Sequence, residues 1–329
     1  MQAMVVSGYG EPLRPYDLPV PSITPEHHRI RVHACSVNFA DLLMQSGQYQ
    51  ERPDLPFAPG MEICGTVEDV AQNSTGIDRG QRVAAYCGYG GMAEHVSVPA
   101  AACLPVPDKM PDHVAAAFPI VYGTSHIALS HGARLQPGDR LLVLGAAGGL
   151  GMTSVEVGKL MGAEVVAAAR GSEHLAAADR AGADHLIDTA VGPDEIISRV
   201  KALGGADVVI DPVGGDQFDA ALRACRPGAR LVPLGFASGK IPQIPANILL
   251  VKNLSVIGLY WGAFAKLWPS AIAESFATLL NWYSAGQLHP HVSHRFPIDQ
   301  ANDALELLRS RKAVGKVVVT LLPESVSGS

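Results

Sequence analysis

The sequence predicts an α/β protein in which a doubly wound parallel sheet is inserted into a mostly antiparallel β domain. Three observations carry this prediction. A glycine loop, Gly145-Ala146-Ala147-Gly148-Gly149-Leu150-Gly151, joins an apolar run at 141–144 to a helix-like stretch at 152–161. Beyond it, short apolar runs alternate with segments of helical length, which implies crossover connections and a parallel sheet covered on both faces. The flanking stretches are different in texture, short, partly alternating and broken by Gly, Pro and Asn, as antiparallel strands are.

In chain order, the first 123 residues hold predicted strands at 29–37, 63–70, 82–86 and 93–98. The parallel strands follow at 141–144, 164–169, 185–188, 206–211, 230–235 and 254–260. Helices at 173–181 and 193–203 stop at Gly182 and Gly204, and a third at 216–225 stops before Pro227. After Gly262 the antiparallel style returns, with a helix at 269–285, a strand at 292–296, a helix at 298–310 opened by Asp299, and a closing strand at 316–322. Residues 1–123 and 263–329 are therefore expected to form one discontinuous domain around 124–262. Substrate is expected in the cleft between them, where the strands' carboxyl ends open.

A strand, a tight turn and a helix N-terminus form an arrangement that holds a dinucleotide pyrophosphate. Gly145 allows the turn, Gly148 lets backbone N–H groups approach the phosphates, and Gly151 lets the helix lie close to its strand. Such folds commonly place an acid about 20 residues on, against the adenosine ribose. Here that position is Ala169, and Arg170 follows. A carboxylate repels a 2′-phosphate, whereas a guanidinium binds it through paired, charge-assisted hydrogen bonds. NADPH is thus expected over NADH, although Arg170 also fits a solvated loop. Ser172 offers a further hydrogen bond. His174 is a weaker candidate, since it equally suits the start of the next helix.

Length and composition bound the rest. A chain of 329 residues suggests two domains, and 48% hydrophobic against 17% charged residues supports full cores. The net charge of −6 is dispersed, with no basic run to suit nucleic acid. No apolar stretch is long enough to span a membrane, and the first residues lack a basic segment leading into a hydrophobic one, so a cytoplasmic protein is expected. Cysteines 35, 64, 87, 103 and 225 are widely spaced and odd in number, which fits reduced thiols.

Several motifs in order resemble the medium-chain dehydrogenase/reductase superfamily, and within it the zinc-free quinone oxidoreductase branch related to zeta-crystallin. They are Val37-Asn38-Phe39-Ala40-Asp41, Ser46-Gly47-Gln48-Tyr49, Pro59-Gly60-Met61-Glu62, Gly80-Gln81-Arg82-Val83, Gly91-Met92-Ala93-Glu94, Gly123-Thr124 and the glycine loop. The resemblance implies a Rossmann domain inside a GroES-like catalytic domain. Zinc-dependent members resemble this chain but carry Cys at Asn38, His at Met61 and Cys near Ile120. The short segment Tyr86–Gly90 stands in place of their four-cysteine lobe. Zinc needs three or four N, S or O ligands, so no metal is expected. His289, His291 and His294 cluster, but an exposed strand edge explains them better than a metal site.

Without a Lewis acid the reaction needs an acceptor that delocalises its own charge, such as a quinone or an α,β-unsaturated carbonyl. The resemblance makes Asn38 and Tyr49 the candidate catalytic residues. Asn38 would donate an amide hydrogen bond, and the Tyr49 hydroxyl would stabilise or protonate the product oxygen. Their structural alternatives are a cap for the helix near residues 40–44 and a half-buried aromatic before Pro53. Asp41 is expected to order that helix. By motif position, Thr124, Gly235, Phe236, Tyr260 and Trp261 join Gly145, Gly148, Gly149, Leu150, Gly151, Arg170 and Ser172 as candidate cofactor contacts. Phe236 and Trp261 fit cleft wall or core equally well. The edge at 254–260 would join two subunits into a homodimer, as in relatives. The expected activity is NADPH:quinone oxidoreduction. The alternatives are reduction of an enone or enoyl thioester, and NADPH binding without turnover.

Overall fold

The computed structural model describes residues 1–72 and 76–322. They divide into two compact units, one comprising Met1–Ile120 with the chain from Pro290 onward, the other Val121–His289. The second unit is built on six parallel strands: Arg140–Leu144, Glu164–Ala169, His185–Asp188, Ala206–Asp211, Cys225–Pro233 and Ser255–Val256. Numbered along the chain, they lie in the order 3-2-1-4-5-6. Burial on both faces explains their composition, since Leu141 to Leu144 and Val208 to Ile210 are wholly enclosed. The strand order reverses between the first and fourth strands, and open α/β sheets bind ligands beyond the strand ends at such a point.

The last strand is shorter than the predicted 254–260. Ile257 still donates its N–H to Leu231 O at 2.8 Å, and the chain then leaves the sheet for the helix Trp261–Leu267. The return to the first unit comes at Pro290, well beyond the predicted residue 263. Side-chain packing is the reason. Helix Pro269–Ser284 hydrogen-bonds Ser275 Oγ to His126 Nδ1 at 2.8 Å and sets Phe276 edge-on to Trp261, both within the second unit.

The first unit holds a seven-stranded sheet. Strand His27–Val37 is central, paired antiparallel with Glu62–Asp69 on one side and with Lys316–Thr320 and His95–Pro99 on the other. Its pairings are antiparallel except for Val292–Pro297 beside Lys316–Thr320, which run parallel and are joined through the helix Ala301–Arg309. Register does something that hydropathy alone cannot. Ser36 sits opposite Glu62, and Val37 opposite Val317, so the first residues of both neighbouring strands flank Asn38.

Candidate functional site

In the second unit, the apolar strand Arg140–Leu144 ends at Gly145, whose φ of 58° suits glycine. Gly148 N–H closes the turn on Gly145 O at 3.0 Å, and the helix Gly149–Leu160 begins directly after. A Cβ on Gly151 would lie 2.1 Å from Gly145 O, so only glycine lets the helix approach its strand here. A Cβ on Gly148 would meet nothing nearer than Gly145 O at 3.5 Å and would project into open space beside the helix N-terminus. The unsatisfied N–H groups and dipole of that first turn favour an anion. This is a cradle that a side chain would fill, and a pyrophosphate suits it.

Two more loops rim the same ends of the sheet. The fourth strand ends at the buried Asp211, whose Oδ1 accepts N–H groups of Val213 at 2.7 Å and Gly214 at 2.8 Å. That fixes the turn whose Val213 methyl abuts Gly145. Pro212 O in turn accepts Ala237 N–H, which brings Gly235 and the half-exposed Phe236 alongside. Sequence reasoning passed over Asp211, although an acid just before Pro-Val-Gly-Gly is a turn signal.

Burial pushes the Asp211 carboxyl up to about 6, opposed by the N–H groups of Gly214 and Val213. A folded pKa above the unfolded one means the native state holds the extra proton. Stability from this group is therefore full below about pH 4, falls as pH rises to about 6, and is flat above. Asp211→Asn keeps an acceptor oxygen and is expected to remove this slope. Urea unfolding at pH 4.5 and 6.5 checks it, and parallel profiles for both proteins would refute the assignment.

At the end of the second strand, Arg170 is exposed and Gly171, at φ 80°, leads into the helix Ser172–Arg180. An acid does stand beside it, from the third strand. Asp188 lies in register with Ala169, and its Oδ1 accepts the N–H groups of Gly171 and Ala190, each at 2.9 Å. Those N–H groups, then the Arg170 guanidinium, hold its carboxyl below the usual range. With its oxygen committed to backbone, this acid shapes the loop.

The remaining candidates of this unit separate by burial. Thr124 is buried within the helix Pro119–Ile127, and Tyr260 is partly exposed. Trp261 is enclosed, edge-on to Phe276 and against Gly123.

In the first unit, Asn38 precedes the helix Phe39–Gln45. Asp41 accepts Asn38 N–H at 2.8 Å and Gly60 N–H at 2.9 Å, which pins the helix to the Pro59–Met61 segment, the ordering role expected of it. Burial pushes the Asp41 carboxyl up to about 6, with both N–H groups opposing. The Asn38 side chain also reaches two charged groups. Its Nδ2 donates to Glu62 Oε1 at 3.0 Å, and its Oδ1 accepts from Lys316 Nζ at 2.7 Å. Lys316 also donates to Glu62 Oε1 at 3.0 Å and Val37 O at 3.2 Å, while Glu62 Oε2 accepts Ile120 N–H at 2.8 Å. Tyr49 lies at 8% exposure in the apolar cluster of this unit, more enclosed than a half-buried loop aromatic.

Residues 24–108 match the family model of the alcohol dehydrogenase GroES-like domain, and 149–280 that of zinc-binding dehydrogenases. A quinone oxidoreductase-like protein 2 homolog of Nematostella vectensis is 44% identical over 297 residues, spanning 88% of this chain and 80% of that one. The chain belongs to the quinone oxidoreductase branch of the medium-chain dehydrogenase/reductase superfamily. Among solved structures, this chain resembles the quinone oxidoreductase of Thermus thermophilus, determined also in complex with NADPH. That match has a TM-score of 0.85 and 37% identity, covering 98% of this chain and all of the other. A mycobacterial protein complexed with NADPH matches at a TM-score of 0.92 and 30% identity, over 98% and 100% of the two chains.

The second family description implies zinc, and the residues of this chain do not suit it. Asn38 offers a neutral amide already bonded to two charged groups, Met61 a buried thioether, and Ile120 an aliphatic chain. Among the described residues no group of three His, Cys, Asp or Glu side chains is placed to hold a metal. Of the clustered histidines, His289 donates its backbone N–H to Glu156, the backbone oxygen of His291 accepts Lys316 N–H, and the exposed His294 stacks on Phe296.

Proposed function

We propose that this protein is a zinc-independent NADPH:quinone oxidoreductase. The observation that carries the reading is the Asn38 amide, held between Lys316 and Glu62 where zinc-dependent relatives have a metal ligand. Bound NADPH supplies a hydride, and with one solvent proton a quinone becomes a hydroquinone. The glycine cradle and first turn of helix Gly149–Leu160 hold the pyrophosphate, and Arg170 with Ser172 holds the 2′-phosphate. Gly235, Phe236, Tyr260 and Thr124 are assigned to the rest of the dinucleotide. Asn38 donates a hydrogen bond to the acceptor carbonyl as negative charge develops on its oxygen, and the Tyr49 hydroxyl is the second donor. The names of the similar proteins support quinone as the acceptor class.

NADPH oxidation by the purified protein, with a small quinone and in parallel with a short enoyl-CoA, tests the reading. The quinone is expected to be the faster substrate. Asn38→Ala is expected to lower kcat about 10²-fold, the usual cost of a lost oxyanion donor, and Tyr49→Phe about tenfold, with NADPH binding unchanged. Faster turnover of the thioester would reassign the acceptor, and tight NADPH binding without turnover of either would remove the enzyme reading.

We also propose a homodimer through the open side of strand Ser255–Val256. Among the described residues it pairs on one side only, and Leu250 and Val251 nearby are 80% and 78% exposed. Sedimentation of the Leu250→Asp/Val251→Asp variant as a monomer is the expected result. Among the described residues no helix is long and apolar enough to cross a membrane.

A further inference from the structure

In the first unit the Asn38 side chain is bonded to two charged groups. A buried asparagine can present either its oxygen or its nitrogen to a given neighbour, and only the hydrogen-bond partners decide which. Here both partners are charged and each allows one answer. Lys316 is a pure donor, so it takes Oδ1, and the Glu62 carboxylate is a pure acceptor, so it takes an Nδ2 hydrogen. The amide oxygen is consumed. One N–H of Nδ2 is left uncommitted among the described residues.

The ammonium has all three of its hydrogens engaged, and both carboxylate oxygens accept at least one. Lys316 spends its three hydrogens on Val37 O, Asn38 Oδ1 and Glu62 Oε1, and Glu62 Oε2 takes Ile120 N–H. Both side chains are buried, Glu62 completely. Register places them, because Lys316 and Glu62 open the two strands that flank the end of His27–Val37. A buried ion pair is a poor device for stability, since desolvation offsets most of its attraction, so its retention calls for another purpose. Fixing the orientation of a neighbouring dipole is such a purpose. A flipped amide would turn its oxygen toward the acceptor and repel the oxyanion forming there. The locked amide offers only hydrogen.

We propose that Lys316 and Glu62 are positioning residues that lock the Asn38 amide with its oxygen engaged and one N–H free to donate to the acceptor oxygen. The proposal rests on the reading of Asn38 as the donor to substrate. The charge pair also polarises the amide, drawing electron density toward Oδ1 and making the free N–H a stronger donor.

Two measurements test it. Lys316→Met alone would strand a buried carboxylate, so the activity arm uses Lys316→Met/Glu62→Leu, which removes both charges together. With 1,4-benzoquinone as acceptor, kcat is expected to fall about 10²-fold, to the level of Asn38→Ala, with the KM for NADPH unchanged. Adding Asn38→Ala to the double variant is expected to lower kcat no further, and the single variant Lys316→Arg is expected to keep most of the wild-type rate. A purely structural pair would instead move the melting temperature and leave the effects of Asn38→Ala and the double variant multiplicative. Full kcat in a folded double variant, or multiplicative losses, overturns the proposal.

The second arm needs no turnover. In protein labelled with 15N-asparagine, the side-chain pair missing from Asn38→Ala is expected to exchange with solvent at least tenfold more slowly than those of exposed asparagines. Exchange as fast as theirs overturns the lock. If the wild type reduces neither quinone nor thioester while this pair stays protected, the function reading fails and the lock stands.

Discussion

Gly151→Ala is expected to cost the second unit about 3 kcal/mol, the upper part of the range for overpacking, and to weaken NADPH binding by at least about 100-fold. The new methyl would stand 2.1 Å from Gly145 O, 2.7 Å from Ala146 Cα and 2.8 Å from Gly145 C. All three are backbone atoms of the phosphate turn, so the clash has no flexible side chain to yield to it. Either the helix Gly149–Leu160 moves off its strand or the turn at Gly145 opens, and each displaces the N–H groups proposed to hold the pyrophosphate. Gly148→Ala is the control. Its backbone is extended, at φ −75°, and its methyl meets only Gly145 O at 3.5 Å, so stability should hold within about 0.5 kcal/mol. Affinity should still drop about tenfold, because the methyl occupies the approach of the phosphates. Denaturant unfolding and NADPH fluorescence titration on both variants give the comparison. Equal stability of Gly151→Ala and wild type would refute the packing argument.

Arg170→Ala is expected to lower kcat/KM for NADPH about 10- to 100-fold and to leave the NADH value unchanged. A charge-assisted contact to a phosphate is worth about 1.5–3 kcal/mol, and Arg170 is exposed at the strand end with its loop fixed by Asp188. The two cofactors differ only in the group this guanidinium is proposed to bind. Steady-state kinetics with each cofactor measure the ratio. An equal loss with both would assign Arg170 to loop structure, and wild-type turnover as fast with NADH as with NADPH would remove the specificity argument altogether.

Much of the second unit was legible without coordinates because its signals are short in range. Continuous apolar runs separated by helices stopped at Gly182 and Gly204 imply a parallel sheet, and the observed strands match the predicted ones closely except for the fifth, which begins at Cys225, and the last. The glycine roles were readable for the same reason, since a positive φ at Gly145 and the Gly151 contact both arise within seven residues. The end of the inserted unit was not. Helix Pro269–Ser284 carries no local mark of the unit it joins, and contacts of Ser275 with His126 and of Phe276 with Trp261 decide the matter.

Taken alone, the sequence determined the α/β class, the strand and helix rhythm, the glycine turn between strand and helix, the absence of an acid at Ala169 with Arg170 after it, and the place of Asn38 before a helix. These follow from periodicity, turn stereochemistry and residue chemistry, all of which act between neighbours along the chain. Only the tertiary structure decided that Asp188 anchors the Arg170 loop, that Asp211 braces the glycine turn, that Tyr49 is enclosed, and that Lys316 and Glu62 grip Asn38 across 278 and 24 positions of sequence. Buried charges find their partners through strand register, and register is set by the packing of the whole sheet.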